Sequence, residues 1–149
     1  RNAEFIATFD ADGQHHVEDL KVMLDELVRE KLDIVIGSRF LGKVEGLTLA
    51  RRWFLKAAVV FTNLTTGLHL SDAHNGLRVM TGDAARRLDI RQDQMAHASE
   101  MITQMGRLGL RFKEVPVTIT YSSYSVQKGQ KLTNSFRILT DLLSGWLLR

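Results

Sequence analysis

The chain has 149 residues, is 44% hydrophobic and carries a formal net charge of +3, which is enough for one hydrophobic core and most simply one domain over residues 1–149. It contains no cysteine, which excludes disulfides and thiolate metal sites and fits a reducing compartment. The start shows no signal-peptide pattern, and the longest weakly charged apolar stretch, residues 57–70, is shorter than the roughly 20 residues that a membrane span needs.

Basic residues are concentrated in or beside predicted loops and element ends, where they can meet an anion. The chain shows no RNA-binding or zinc-finger motif and no interleaved aromatic residues, so nucleic acid is not the expected anion. The basic residues concerned are Arg39, Lys43, Arg51, Arg52, Lys56, Arg78, Lys128 and Lys131.

An apolar run over residues 5–9 predicts a buried strand that leads into Asp10, Asp12 and the turn residue Gly13. Two carboxylates one residue apart can converge on one hard divalent cation. Mg²⁺ is usually held by one or two protein carboxylates and completed by water and phosphate oxygens, so the pair indicates a metal that carries a phosphorylated ligand. The alternative is local: Asp12 and Gly13 form a turn, and Asp10 caps the strand end.

Residues 16–31 have apolar positions at helical spacing and predict an amphipathic helix packed on a sheet. His15 and His16 precede this helix. They are expected to be caps or solvent-facing residues, because hard cations prefer oxygen ligands.

Residues 32–37 form a largely β-branched apolar run that predicts a strand covered on both faces. A right-handed crossover from the first strand would bring Asp12 and Arg39 to one edge of an open α/β sheet, where ligands bind. Arg39 is then a candidate phosphate ligand, because a guanidinium is a planar bidentate donor. The alternative is an ordinary surface arginine after a strand.

Residues 42–48 contain two glycines and predict a mobile loop near the site. Thr48 is expected to cap a helix over residues 49–65, whose first turn carries Arg51 and Arg52 against the helix dipole. An anion bound there would offset this unfavourable placement. The helix is apolar on more than one side, which indicates core packing, docking against another half of the fold, or contact with a membrane or lipid tail.

Residues 72–78 form a polar loop that leads into a short strand over residues 77–80. Gly76 permits close approach of a ligand to the backbone. Asp72 can accept a hydrogen bond from a sugar hydroxyl group, or it can form a buried ion pair with Arg78 that holds the loop.

A short helix is predicted over residues 83–89 and a longer one over residues 96–108, with Glu100 near its start. Residues 112–121 alternate in polarity around Pro116, the only proline, and predict an edge or bent strand.

Residues 122–131 form a serine- and glycine-rich loop that carries Lys128 and Lys131. Residues 132–148 predict a C-terminal amphipathic helix that lies on a membrane surface, or packs against a partner or the core.

Four motifs follow one another in order: residues 10–15 (DADGQH), 37–39 (GSR), 72–78 (DAHNGLR) and 114–117 (EVPV). In this order they closely resemble the inverting nucleotide-sugar glycosyltransferases of family 2, and especially the branch like dolichyl-phosphate mannose synthase and bacterial polyprenyl-phosphate glycosyltransferases. The resemblance covers nearly the whole chain. It implies the α/β GT-A fold, a mixed sheet flanked by helices. Family members carry a preceding half that binds the base and ribose, so the chain is expected to be the C-terminal portion of such a domain.

The resemblance implies a Mg²⁺ or Mn²⁺ ion held by Asp10 and Asp12, with Asp12 central to catalysis. Gln14 is implied as a metal or phosphate neighbour, directly or through water. Arg51 or Arg52 is implied to hold the phosphate of a lipid acceptor.

Residues 72–78, with Asp72 and Arg78, are implied to line the pocket for the donor sugar and the acceptor. Glu100 is implied as a general base for a hydroxyl acceptor, or as an orienting residue if the acceptor is an anionic lipid phosphate. The alternative for Glu100 is a favourable place in the first turn of a helix. The loop with Lys128 and Lys131 is implied to close over the donor diphosphate or the acceptor phosphate, and a solvated loop is the alternative.

The expected function is therefore inverting, metal-dependent transfer of a sugar from a nucleotide-sugar donor to a polyprenyl phosphate at the cytoplasmic membrane face, with a glycan hydroxyl as the alternative acceptor. The chain could instead be a non-catalytic remnant that binds an anionic ligand or a partner chain. Metal-dependent phosphoryl transfer is a further alternative, although no P-loop or kinase loop is present. An incomplete sheet would expose an edge strand and apolar surface, so self-association is also expected.

Overall fold

The computed structural model describes residues 2–92 and 96–121 of the chain. The elements run in the order β1 (Phe5–Thr8), α1 (Val17–Arg29), β2 (Ile34–Glu45), α2 (Leu49–Thr66), β3 (Arg78–Thr81), α3 (Gly82–Arg87), α4 (Ala96–Arg107) and β4 (Phe112–Thr120).

The strands form one mixed sheet, which has the order β1-β3-β2-β4 within the described residues. Strand β3 is antiparallel to both β1 and β2, and β4 is parallel to β2, so β1, β2 and β4 run in one direction. Their carboxyl ends therefore lie at the same edge of the sheet. The mixed α/β architecture is confirmed, and the ends of β1 and β2 share an edge as predicted, although β3 lies between them.

The first half of β2, residues 34–39, is covered on both faces, as predicted. Ile34 and Ile36 enter a core formed with α2, α3 and α4, whereas Val35 enters a second core that includes Met23 and Leu27 of α1. The three strand residues are at most 1% exposed. Burying each such side chain contributes about 1.5 to 3 kcal/mol. The alternation therefore fixes the register of the strand that leads to Arg39.

Strand β1 is less buried than predicted. It lies at the end of the sheet, and no strand pairs with its outer edge in the described part of the chain. Ile6 is 37% exposed and Phe9 is 39% exposed. The apolar run identified the strand correctly, but the prediction that it is buried was wrong, because burial depends on its place in the sheet.

Within the described residues, the extents of the other predicted elements agree with the structure to within two residues, except for β2. The cap of α2 is also confirmed: the Thr48 hydroxyl accepts a hydrogen bond from the Arg51 amide at 3.4 Å. Gly67, at φ 71°, ends that helix in the left-handed conformation that glycine favours.

Strand β2 continues to Glu45, so the predicted loop over residues 42–48 was wrong for its first half. A Cβ atom on Gly42 would lie 2.1 Å from the Val117 carbonyl oxygen. The glycine is therefore required for close approach to β4, rather than for mobility. The pairing with β4 shifts in register between Ser38 and Lys43, which lets the longer strand remain in the sheet.

Among the described strands, β4 lies at the opposite end of the sheet from β1, as its proline predicted. The predicted loop over residues 122–131, with Lys128 and Lys131, and the predicted helix over residues 132–148 lie outside the described residues.

Candidate active site

An acidic turn, residues 10–14, follows β1 at the shared edge of the sheet. Asp12 accepts hydrogen bonds from the Gln14 amide at 3.1 Å and from the Gln14 side-chain amide at 2.7 Å. Gly13 adopts a φ of 74° within the turn. Thr8, at the end of β1, donates to the Gly76 carbonyl oxygen at 2.7 Å, which ties the acidic turn to the 72–78 loop. The structure therefore brings together two segments that are more than 60 residues apart in sequence.

The carboxylate of Asp10 packs directly against Gly76. A Cβ atom at Gly76 would lie 2.0 Å from Asp10 Oδ2 and 2.5 Å from its Cγ. The glycine was expected to admit a ligand, and in the structure it admits this carboxylate. Contact with His15 lowers the pKa of Asp10, partial burial opposes that effect, and the charge of Arg78 adds to the lowering. Asp10 is therefore an ionised, partly exposed carboxylate at neutral pH.

His15 is buried beside this turn, so the expectation that it caps a helix or faces solvent was wrong. Its side chain is 5% exposed and its Nε2 lies 3.7 Å from Asp10 Oδ2. A backbone bridge to Ile119 holds the residue inward, and the Phe9 ring lies 5.6 Å from the imidazole. His16 occupies the N-cap position of α1 as expected, but its side chain makes no capping hydrogen bond.

Asp72 forms a buried ion pair with Arg39, which connects the 72–78 loop to β2. Asp72 Oδ2 accepts from Arg39 Nε at 2.6 Å and from the Arg39 amide at 3.0 Å. Arg39 also donates to the Tyr121 hydroxyl at 2.7 Å and to the His74 carbonyl at 3.0 Å. The alternative of an Asp72–Arg78 ion pair was therefore wrong: Arg39, within β2, pairs with that carboxylate instead.

Arg39 is 8% exposed, so the alternative of a surface arginine was also wrong. Burial lowers the pKa of Arg39, but Asp72 and Tyr121 more than offset this effect and leave the pKa above its usual value. Arg39 is a permanent cation neutralised by Asp72, and its role as a phosphate ligand stays a prediction.

Glu114 holds the backbone of the Asp72 loop in place. Its two carboxylate oxygens accept from the Ser71 amide at 2.7 Å and the Asp72 amide at 2.9 Å. Ser71 and Ser38 share a hydroxyl hydrogen bond of 2.6 Å. Glu114 belongs to the EVPV motif, but no role was predicted for it, because the sequence does not show that a loop 42 residues earlier packs against it.

Arg78 is 2% exposed and has no carboxylate within ion-pair distance in the described residues. Its Nη1 donates weakly to Met101 Sδ at 3.6 Å. Its Nε and Nη2 have no hydrogen-bond partner in the described part of the chain. Burial lowers the pKa of Arg78, and the charges of Asp10 and Asp72 oppose this effect.

Asp72 Oδ1, His74 Nδ1 and Asn75 Nδ2 are also buried without a partner among the described residues. Unpaired buried polar atoms are costly, by roughly 1 to 3 kcal/mol for each neutral group. These unpaired atoms all belong to residues 72–78, and a ligand or ordered water that both donates and accepts hydrogen bonds, as hydroxyl groups do, would satisfy them.

The first turn of α2 brings Arg51 and Arg52 toward the site. It contains no acidic residue. The Arg51 guanidinium carbon lies 5.0 Å from the centre of the Tyr121 ring. Arg52 lines a groove together with Arg39 and Leu49.

Glu100 contacts a different segment. Its carboxylate accepts from the Arg91 amide at 3.0 Å and the Gln92 amide at 2.9 Å, after α3. Glu100 lies beyond the first turn of α4, so the alternative of a favourable first-turn charge was wrong. Its predicted roles as a general base or an orienting residue stay predictions.

Asp10 and Asp12 have the donor chemistry for a hard cation. No group of three or more metal-ligating side chains occurs among the described residues. Two carboxylates, one of them ionised and partly exposed, fit an ion whose other ligands are water and phosphate oxygens. In the described ranges, no helix is long and apolar enough to cross a membrane.

Comparison with known proteins identifies the family. The model of Glycosyl transferase family 2 matches residues 2–89. An uncharacterized protein of Methanocaldococcus jannaschii is 34% identical, with 94% of this chain and 59% of the relative covered. A UDP-N-acetylglucosamine–dolichyl-phosphate N-acetylglucosaminyltransferase of Methanococcus voltae is 28% identical (95% and 58% covered). An undecaprenyl-phosphate mannosyltransferase of Micrococcus luteus is 33% identical (79% and 50% covered).

The chain spans between 50% and 59% of the length of these curated relatives. Two of them are named for sugar transfer to a polyprenyl phosphate, which confirms the resemblance to that branch. The family match includes the acidic turn and the 72–78 loop, the two segments that pack together at the sheet edge. Because it also takes in more than half of the residues, the chain belongs to glycosyl transferase family 2.

Proposed function

We propose that this chain contributes the catalytic edge of an enzyme that transfers a sugar from a nucleotide-sugar donor to a polyprenyl phosphate. The configuration at the anomeric carbon is inverted, and a divalent cation, Mg²⁺ or Mn²⁺, is required. The proposal rests on family membership and on one structural observation, the packing of the Asp10 carboxylate against Gly76. That contact joins the acidic turn, which carries the proposed metal ligands, to the 72–78 loop. Several buried polar atoms of this loop have no hydrogen-bond partner among the described residues.

Asp10 and Asp12 would hold the cation, and Gln14, which is bonded to Asp12, orients that carboxylate. When bound, the cation would neutralise the negative charge that develops on the departing nucleotide diphosphate. The 72–78 loop, with Asp72 and Arg78, would line the pocket for the donor sugar. Glu114 and Arg39 keep the Asp72 backbone and side chain in position.

The reaction forms one bond and breaks one. An acceptor phosphate oxygen bonds to the anomeric carbon from one face, while the bond to the nucleotide diphosphate breaks on the opposite face. The diphosphate leaves with the bonding electron pair. Because the attacking oxygen is already anionic, no strong general base is needed. This suits a site in which the Glu100 carboxylate is engaged by two backbone amides.

Arg51 and Arg52 would hold the acceptor phosphate. Arg51 has no acidic partner within ion-pair distance in the described residues, and the first turn of α2 lacks an acidic residue. A dianionic phosphate would supply the missing negative charge. Lys128 and Lys131, outside the described residues, are proposed to add to this binding.

The exposed face of α2 supports contact with a lipid surface. Leu49, Trp53 and Leu64 are 75%, 74% and 80% exposed, and Arg52 and Lys56 lie along the same groove as Leu49 and Trp53. Exposed aliphatic residues with a tryptophan and basic side chains match an anionic membrane interface. We place this face on the cytoplasmic surface of a membrane, where it would meet a polyprenyl phosphate.

A transfer assay tests the proposal. The protein is incubated with undecaprenyl phosphate, Mg²⁺ or Mn²⁺, and a panel of radiolabelled UDP- and GDP-sugars, and label in the organic phase is counted. We expect label from one donor, lost when Asp12→Ala replaces the wild type and retained in Asp25→Ala. Asp25 is an exposed aspartate of α1 that pairs with Lys21. Asp25→Ala is a matched control, because it also replaces one aspartate by alanine. Label that persists in Asp12→Ala would contradict the proposed metal site.

A further inference from the structure

Tyr121 contacts two arginines at once. Its hydroxyl accepts a hydrogen bond from Arg39 Nη1 at 2.7 Å, and the guanidinium carbon of Arg51 lies over its ring, 5.0 Å from the ring centre. The residue is 9% exposed. The phenol therefore connects the buried ion pair of β2 with the first turn of α2.

The backbone of Tyr121 is also fixed. Its amide donates to the Glu45 carbonyl oxygen at 3.0 Å, at the end of β2. Gly46 lies against it, because a Cβ atom there would come within 2.7 Å of the Tyr121 carbonyl oxygen. Gly46 adopts a φ of 76°, which a side chain would strain. The position of the ring is thus fixed by the backbone hydrogen bond of Tyr121 and by the hydrogen bond between Arg39 and the Tyr121 hydroxyl group.

The charges around this ring are unequal. Arg39 is neutralised by Asp72 at 2.6 Å, whereas Arg51 forms no ion pair in the described part of the chain. The Tyr121 ring attracts the Arg51 cation without cancelling its charge. Arg51 therefore lies on a neutral ring, and among the described residues its guanidinium N–H groups have no acidic partner and can bind an anion.

We propose that Tyr121 is a positioning residue that fixes the Arg51 guanidinium for binding the phosphate monoester of the acceptor. This inference rests on the proposed function, because it takes Arg51 to be a ligand of the acceptor phosphate. The ring face orients Arg51, and the hydroxyl group ties the ring to the Arg39–Asp72 pair. The position of the acceptor phosphate is thereby linked to the loop that carries Asp72.

A double-mutant cycle with farnesyl phosphate tests the proposal. Calorimetry measures binding to the wild type, Tyr121→Leu, Arg51→Gln and the double variant, and farnesol serves as the ligand without a phosphate. Tyr121→Phe keeps the ring face and removes only the hydroxyl. Thermal unfolding checks that each variant is folded.

We expect Tyr121→Leu to weaken farnesyl phosphate binding by about 3- to 30-fold, the range for loss of a cation–π contact. Tyr121→Phe should lose less than Tyr121→Leu, and farnesol binding should be the same in all variants. In the Arg51→Gln background, Tyr121→Leu should have no further effect, because the two residues then act through one contact.

The outcomes test separately whether Arg51 binds the acceptor phosphate and whether Tyr121 positions Arg51. If Arg51→Gln leaves farnesyl phosphate binding unchanged, Arg51 is not an acceptor ligand, and that part of the proposed function fails together with the inference. If Arg51→Gln weakens binding while Tyr121→Phe and folded Tyr121→Leu do not, the proposed function stands and the positioning role is overturned. Equal losses from Tyr121→Leu with and without Arg51 would also overturn it, since the tyrosine would then act independently of that arginine.

Discussion

The contact between Gly76 and Asp10 predicts that Gly76→Ala displaces the Asp10 carboxylate. The new Cβ atom would lie 2.0 Å from Asp10 Oδ2, 2.5 Å from Cγ and 2.8 Å from Oδ1. An ordinary contact begins near 3.4 Å, so Oδ2 would have to retreat by at least 1.4 Å. The backbone can stay where it is, because Gly76 does not have a positive φ and the three nearest atoms all belong to the Asp10 carboxylate.

The substitution should therefore separate stability from ligand binding. An alanine in a compatible backbone conformation gains about 0.4 to 1 kcal/mol by restricting the unfolded chain, and a strained aspartate rotamer costs about 0.5 to 1.5 kcal/mol. The net change in unfolding free energy should be within about 1 kcal/mol. In contrast, moving the Asp10 carboxylate, a proposed metal ligand, by more than about 1 Å should weaken metal-dependent nucleotide binding by about 10- to 100-fold.

Calorimetric titration with UDP and GDP, with and without Mn²⁺, would measure the effect on binding, and urea unfolding would measure stability. Gly106→Ala is the matched control, since its Cβ atom would meet Leu68 at an ordinary 3.5 Å. Asp10→Ala should bind as weakly as the Gly76→Ala/Asp10→Ala double variant, because the clash requires the carboxylate. Wild-type nucleotide affinity in Gly76→Ala would show that Asp10 does not need its present position for binding.

Three further predictions concern stability and membrane contact. Asp72→Asn should lower the unfolding free energy by about 3 kcal/mol in urea, because it leaves Arg39 buried without its charge partner; a change below about 1 kcal/mol would contradict this. Burial lowers the pKa of His74 from 6.5 to about 4, so the folded protein binds this proton less well than the unfolded chain. The wild type should therefore lose up to about 3 kcal/mol as the pH falls from 6.5 to 4, beyond the loss in His74→Gln, and parallel pH profiles would contradict this. Trp53→Glu should abolish flotation with anionic liposomes, whereas Val22→Glu on α1, also an exposed apolar position, should not; equal flotation of both would exclude contact through α2.

The expected self-association stays a prediction, and it concerns the outer edge of β1. That edge has no strand partner within the described residues, and Ile6 and Phe9 beside it are exposed. Sedimentation velocity should show an oligomer that weakens with Ile6→Lys, because a charge on an edge strand opposes pairing between chains. A monomer at all concentrations would contradict this expectation.

Local patterns in the sequence predicted most elements well. The Thr48 cap, the spacing of apolar residues in α1 and the β-branched run of β2 each arise from neighbouring residues, so they can be found without tertiary information. The extension of β2 was missed because Gly42 has the same appearance in a loop and in a close strand contact. Only the packing against Val117 distinguishes the two.

The candidate site was only partly predictable, because its contacts join distant segments. The sequence predicted Asp12 and Arg39 at one sheet edge, and the resemblance implied that residues 72–78 line the donor pocket. The contact of Asp10 with Gly76 was not predicted. The partner of Asp72 was not predictable, since Arg39 and Arg78 are both arginines at that edge and only the strand order decides between them. The two hydrogen bonds that Glu114 accepts from the loop were missed because they also join residues that are distant in sequence.

Metal-dependent binding of a nucleoside diphosphate to this chain would test the role of the acidic turn without requiring turnover. UDP and GDP would be titrated by calorimetry with Mg²⁺, with Mn²⁺ and with EDTA, using the wild type, Asp12→Ala and the control Asp25→Ala. We predict binding that requires the metal, is lost in Asp12→Ala and is unchanged in Asp25→Ala. Metal-independent binding, or equal binding by folded Asp12→Ala, would contradict the assignment of the acidic turn as the diphosphate site.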